Sequence, residues 1–209
     1  MRYYLAYGSN LNLDQMQYRC PKATPIGTAV IKGYELLFKG SKTGSYLTIE
    51  KNENEYVPVG VWEVNEAEER RLDAYEGYPN FYYKKDIEVL LKDWDGKRRK
   101  INAFVYIMHE NRPLGEPSLY YIRACAEGYR SFGFKLEHIR KALEKSVKTI
   151  CPKCGKEYTG APALSRLDNT TLICPECGTR EALESIGMPS DEIESIVAVL
   201  HHHNLGTED

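Results

Sequence analysis

Long apolar runs are missing from this 209-residue chain, and no stretch approaches the ~20 residues that span a bilayer. No membrane partner is therefore expected. A net charge of one sign is missing too: 28 Lys and Arg stand against 30 Asp and Glu, so there is no overall pull toward nucleic acid or anionic lipid. The start of the chain passes from Met1-Arg2 into an alternating pattern, without the apolar core and cleavage site of a secretory signal. Internal repeats and low-complexity tracts are absent as well. These absences lead to the expectation of a soluble cytoplasmic protein. Cysteine is scarce over the first 150 residues, where only Cys20 and Cys125 occur. Both sit in apolar contexts and read as buried, inert thiols.

The other four cysteines are concentrated at the far end, as Cys151-Pro-Lys-Cys154 and Cys174-Pro-Glu-Cys177. In a reducing compartment, paired CxxC motifs mean metal more often than disulfides. Two such knuckles, 19 residues apart, suit a tetrahedral Zn²⁺ held by four thiolates, because each turn places two sulfurs on one side of the ion. Gly155 and Gly178, following the two knuckles, favour the tight turns this requires. Four protein ligands leave no position for water, so the ion is expected to be structural. It should supply much of the folding free energy of so small a unit. Beyond it, Ile193, Ile196, Val197 and Leu200 recur at helical spacing. His201, His202 and His203 end that amphipathic helix and read as a solvated helix end favoured by the dipole. The chain is thus expected to divide into residues 1–147 and a zinc-ribbon module with a C-terminal helix at 148–209.

The first part reads as strands at 2–7, 29–38, 46–51, 56–64, 83–92 and 98–108, rich in β-branched and aromatic residues. Asp95-Gly96 marks a hairpin turn between the last two. Asn65 with Glu68 resembles a capping box, which predicts a helix over Glu66 to Tyr75 that delivers Glu76 at its end. Ser118 is the expected N-cap of a later helix ending near Gly133, and Leu136, Ile139, Leu143 and Val147 form the apolar stripe of another. Lys97-Arg98-Arg99-Lys100 reads as a solvated strand edge. Many strands, few helices and no repeated βαβ unit argue for an α+β domain with a curved or barrel-like mixed sheet.

The most informative segment is Tyr3 to Asn12, an apolar strand that ends abruptly in Tyr7-Gly8-Ser9-Asn10 and re-enters helical periodicity. Gly8 permits the turn, Ser9 or Asn10 can cap the helix that follows, and free amides of its first turn face an anion. The second informative segment is Leu72-Asp73-Ala74-Tyr75-Glu76-Gly77-Tyr78-Pro79, followed by Phe81-Tyr82-Tyr83. Among these tyrosines, partial desolvation is expected to raise the pKa of Glu76 toward the range useful for moving protons.

With both segments in this order, residues 1 to about 147, or about seven tenths of the chain, resemble the gamma-glutamylcyclotransferase superfamily, including its AIG2-like members. The shared pattern is the YGSN loop, Glu76-Gly77 with Tyr83 seven residues beyond Glu76, and a strand ending at Tyr106. Arg19-Cys20-Pro21 and Pro117-Ser118 fit as well. The resemblance implies a small mixed β-barrel flanked by helices and cofactor-independent cyclisation of a γ-glutamyl amino acid, peptide or amine. The products are 5-oxoproline and a free amine. It further implies Glu76 as general acid/base, and substrate binding by Tyr7, Gly8, Ser9 and Asn10, with one more amide from Leu11. Tyr83 and Tyr106 are candidates for orienting substrate or Glu76, although most of the 16 tyrosines must be packing residues. Residues 162–169 and 173–183 look like a small zinc-ribbon module of phage and bacterial proteins. The rival reading is a regulatory protein that binds a γ-glutamyl or similar carboxylate without turnover, its ribbon contacting a protein or, weakly, nucleic acid. Leaving-group selection is expected in loops 40–46 and 110–117.

Overall fold

The computed structural model describes residues 1–41, 44–147, 149–158 and 162–205, with the backbone alone at 41 and 200–205. Lys42 and Thr43 of the 40–46 loop, and the side chains of His201, His202 and His203, lie outside the described residues. The chain divides into two compact units, Met1–Val147 and Lys148–Asp209.

The first unit is a closed barrel of five strands, β1 (Arg2–Ala6), β2 (Thr24–Ser41), β3 (Gly44–Val64), β4 (Tyr82–Asp93) and β5 (Arg98–Met108), in the order β1-β3-β2-β4-β5. Neighbours are antiparallel except at the closing seam. There, β1 runs parallel to β5 through Tyr4↔Phe104 and Leu5↔Val105. Four helices flank it: α1 (Leu13–Arg19), α2 (Glu66–Glu76), α3 (Leu119–Ser131) and α4 (Glu137–Ser146). This is the mixed α+β barrel that the residue pattern led one to expect. Leu5, Phe38, Ile49, Val59, Phe104 and Val105 are among the fully buried side chains of its core. Each stabilises the fold by about 1.5–3 kcal/mol relative to an exposed position. The barrel closes on Gly27, at φ +152°, where a Cβ would lie 2.2 Å from the Lys92 carbonyl oxygen. Only glycine lets β2 and β4 approach so closely.

One sequence-based boundary differs from the structure. The polar run Asn52-Glu53-Asn54-Glu55 reads as a break between two strands, but β3 is continuous across it. The pairing jumps from Tyr34↔Lys51 to Lys32↔Tyr56, so these four residues stand opposite Gly33 in an exposed bulge. A bulge keeps the ladder while releasing side chains to water, which is why the hydrophobic alternation lapses there.

The helix ends follow local chemistry. Asn65 Oδ1 accepts from the Glu68 N–H at 3.0 Å, Ser118 Oγ from the Tyr121 N–H at 3.2 Å, and Asn12 Oδ1 from the Gln15 N–H at 3.0 Å. Asn12 therefore caps α1, correcting the expected Ser9 or Asn10. Those two residues sit instead in a 3-10 turn, Ser9–Leu11, inserted between β1 and α1. Cys20 and Cys125 are buried, and burial pushes both thiols up to about 12, which leaves them protonated and inert.

The second unit carries two short hairpins, β6 (Thr149–Ile150) with β7 (Glu157–Tyr158) and β8 (Ala163–Leu164) with β9 (Leu172–Ile173), then α5 (Pro175–Ser185) and α6 (Ser190–Leu205). Its buried cluster consists of Cys151, Ile173, Cys174 and Cys177. Glu181 of α5 accepts hydrogen bonds from Lys153 Nζ at 2.8 Å, from Ser165 Oγ and from the Arg166 N–H, tying both knuckle regions together. Ile193 and Val197, one turn apart on α6, are buried. Among the described residues, no helix is long and apolar enough to cross a membrane.

Candidate active site

The strand β1 ends in a turn whose backbone is partly satisfied from within. The Leu11 N–H donates to the Gly8 carbonyl and the Asn12 N–H to that of Ser9, both at 3.0 Å. The Leu11 amide is thereby committed to the turn and its side chain is fully buried, so it does not supply the additional binding amide expected of it. The N–H groups of Ser9 and Asn10 have no partner among the described residues, which leaves two donors at the head of the turn.

Across from them stands α2. Its last residue is Glu76, and Gly77, at φ +64°, ends the helix in the left-handed conformation that glycine adopts without strain. Helix and turn meet directly: Asn10 Nδ2 donates to Glu76 Oε1 at 2.7 Å. The acid and the loop, 66 residues apart in sequence, thus share one cavity.

That cavity measures about 210 Å³. Tyr7, Gly8, Ser9 and Asn10 form one wall, Tyr75 and Glu76 a second, and Tyr82, Tyr106 and Tyr121 the remainder, with Tyr4, Tyr46, Leu47 and Phe81 completing it. Apart from phenols, Glu76 is the only acid or base that lines it among the described residues. Burial among these rings raises its pKa, the Arg19 charge and the Asn10 hydrogen bond lower it, and the balance stands at about 7. The residue is partly buried and lines the cavity.

Most of the phenolic protons are already committed. Tyr7 donates to the Tyr106 carbonyl at 2.6 Å, Tyr82 to the Leu47 carbonyl at 2.8 Å and Tyr106 to Asp73 Oδ1 at 2.6 Å. Tyr106 therefore lines the site but braces α2 through Asp73, one turn before Glu76. Tyr121 differs, because its oxygen, which lies beside Gly8, accepts from the Leu47 N–H at 3.1 Å, and its hydroxyl also hydrogen-bonds the Cys125 thiol. Tyr83 does not line the cavity. Its side chain lies on another face of β4 and donates to Glu110 at 2.7 Å, and Tyr78 stands over Lys84 instead. The period of two along a strand explains why Tyr82 faces in and Tyr83 does not.

Sequence reasoning passed over Tyr4, Tyr46, Phe81 and Tyr121. A signal for Tyr121 was present, since it lies four residues before Cys125 on the buried face of α3.

In the second unit the four Sγ atoms of Cys151, Cys154, Cys174 and Cys177 lie within 4.8 Å of one another. Sulfurs around a tetrahedral ion with metal–sulfur bonds of ~2.3 Å are ~3.8 Å apart, and Cys154 and Cys174 are separated by 3.8 Å. The Cys174 N–H points at Cys151 Sγ and the Cys177 N–H at Cys174 Sγ, each at 3.3 Å, bonds that favour thiolates. The donor set fits a metal ion.

Comparison with known proteins agrees with the barrel. The family described as "Gamma-glutamyl cyclotransferase, AIG2-like" matches residues 4–124. The chain is 29% identical over 164 residues to the human Gamma-glutamylcyclotransferase, spanning 75% of this chain and 81% of that protein. It is 30% identical over 145 residues to the Bos taurus protein of the same name, spanning 66% and 75%. A solved structure described as "Gamma-glutamyl cyclotransferase" superposes with a TM-score of 0.57 at 25% identity, over 94% of this chain and 98% of that one.

Proposed function

Since the chain belongs to the gamma-glutamyl cyclotransferase, AIG2-like family, we propose that residues 1–147 cyclise a γ-glutamyl amino acid, peptide or amine, with Glu76 as general acid/base. The α-amine attacks the γ-carbonyl of the same glutamyl group. A ring C–N bond forms, the bond to the leaving nitrogen breaks, and 5-oxoproline and a free amine depart. Both reactants reside in one molecule, so the site needs chiefly to hold the donor folded for attack and keep water out.

The proton follows a short route. Glu76, as carboxylate, takes it from the α-ammonium and returns it to the departing nitrogen. A group titrating near 7 can do both at neutral pH, and such shuttling is typically worth ~10²–10⁴ in rate. Ser9 and Asn10 offer N–H groups that the turn leaves unused, so the oxygen of the tetrahedral intermediate has donors that need no rearrangement. The observation that carries this reading is the 2.7 Å contact between Asn10 and Glu76 across the cavity. Nothing among the relatives favours the rival, non-catalytic reading.

In residues 148–209 the reading is a structural zinc ribbon. Cys151, Cys154, Cys174 and Cys177 would hold Zn²⁺, which supplies cross-linking of the two hairpins and takes no part in the reaction. A cytoplasmic location suits thiols held for metal. The test is release of 5-oxoproline from a panel of γ-glutamyl amino acids, peptides and amines. We expect turnover that Glu76→Gln removes while the far-UV spectrum stays unchanged. Full turnover by that variant would overturn the assignment.

A further inference from the structure

Asn10 is buried between two charged groups. On one side is Glu76. On the other is Arg19, the last residue of α1, whose Nη1 donates to Asn10 Oδ1 at 2.6 Å. A guanidinium has five N–H donors and no acceptor, so it engages only the carbonyl end of the amide. The amino end is thereby turned the other way, where it meets Glu76 Oε1 at 2.7 Å and the Tyr4 hydroxyl at 2.9 Å. Rotating the amide by half a turn would set its NH₂ against the guanidinium and its carbonyl against the carboxylate. Arg19 is itself held firmly: Nη2 donates to Gln15 Oε1 at 2.6 Å, Nη1 reaches Ser9 Oγ at 3.4 Å, and the guanidinium carbon lies 3.8 Å from the Tyr75 ring centroid. Arg19 does not line the cavity, so it acts on the reaction only through what it holds.

We propose that Arg19 is a positioning residue: by fixing the Asn10 amide with its amino end on Glu76, it keeps Glu76 in the proton-accepting carboxylate form against an aromatic wall that favours the neutral acid. The inference rests on the reading of Glu76 as the base, but the arrangement itself is a property of the folded site whatever the substrate.

The groups that face Glu76 from each packed element are Tyr4 and Tyr7 at the end of β1, Tyr46 of β3, Tyr82 of β4, Tyr106 of β5 and Tyr121 of α3, with Tyr75 beside it on α2. Burial raises Tyr4, Tyr7, Tyr82, Tyr106 and Tyr121 well above the ordinary phenol range, so they stay uncharged while Glu76 titrates. Lys84, near the Tyr106 ring, is paired with Glu69 and Asp73. Arg19 is therefore the cation that offsets burial at Glu76, and it does so both by its charge and by the orientation it imposes on Asn10.

The test uses full-length protein labelled with ¹³C at glutamate carboxyls, the Glu76 signal being identified by its loss in Glu76→Gln. In Arg19→Gln the titration midpoint of Glu76 is expected to rise by ~1 unit or more. The acid limb of kcat/KM should move with it. Activity would fall ~10-fold at pH 7 and return near pH 9, with KM changed less than ~3-fold. Arg19→Lys keeps the charge but loses the fork, and should shift the midpoint upward by less. An unmoved midpoint in folded Arg19→Gln overturns the proposal, as does activity lost equally at every pH. Should Arg19→Gln not fold, an unmoved midpoint in Arg19→Lys overturns it instead. If no γ-glutamyl donor yields 5-oxoproline, the proposed reaction fails, yet the midpoint still decides the role of Arg19.

Discussion

The buried core of the first unit is chiefly apolar, with Phe38, Ile49, Phe104 and Val105 among its members, and among the described residues it holds no metal-ligating cluster. In the second unit three of the four members of the buried cluster are cysteines, with Ile173 the fourth. One region is held by area removed from water, whereas in the other the proposed zinc would hold thiols that repel one another once ionised. Chemistry divides accordingly. A large core has strength in reserve, so the barrel tolerates a carboxylate set among rings at a cost in stability. The small unit has little, and on the proposed reading its thiols are the groups that would hold it together.

The sharpest way to break this contrast is to remove metal. A strong chelator, or Cys151→Ser, should collapse the amide NMR dispersion of residues 149–205, because structural zinc in small modules is worth about 10–16 kcal/mol. The barrel signals should persist, and simultaneous collapse of both units would show that they do not stand on separate supports. The next effect in size lies in the barrel. Glu76→Gln should lower 5-oxoproline formation by ~10²–10⁴ while leaving bound zinc, assayed by atomic absorption, unchanged.

The same variant sharpens the contrast from the side of stability. Glu76 binds its proton more tightly folded, at about 7, than at its ordinary 4.5, so native stability falls as pH rises between those values. Denaturant titration should find Glu76→Gln more stable than the parent by ~1–3 kcal/mol at pH 8, the difference vanishing below about pH 4.5. Smallest is the cap. Asn65→Ala should cost about 1 kcal/mol in the barrel transition, through the lost Glu68 N–H partner, and shift no signal of the second unit.

Much of this was readable from the chain because it is set by neighbours in sequence. The capping pair Asn65 and Glu68, Gly77 after Glu76, Asp95-Gly96 and the spacing of the two CxxC knuckles all act within a turn or two of backbone. The barrel class followed from the alternation of apolar residues over the strands. The bulge opposite Gly33 was not readable, since a polar run looks the same whether the strand ends or continues past it. The cap at Asn12 was missed because the 3-10 turn before it leaves no periodicity.

Residue types and their order by themselves determined where strands and helices form, which four thiols cluster, and that a glutamate follows a short helix near a glycine-bearing loop. Only the tertiary structure decided which tyrosines face the carboxylate and where their protons go, that Tyr83 turns outward to Glu110 while Tyr121 enters from a distant helix, and that Arg19 orients Asn10. The physical reason is range. Propensity, capping and knuckle geometry act through bonds a few residues long, whereas desolvation and hydrogen-bond direction depend on what barrel closure brings within about 3 Å from elsewhere in the chain.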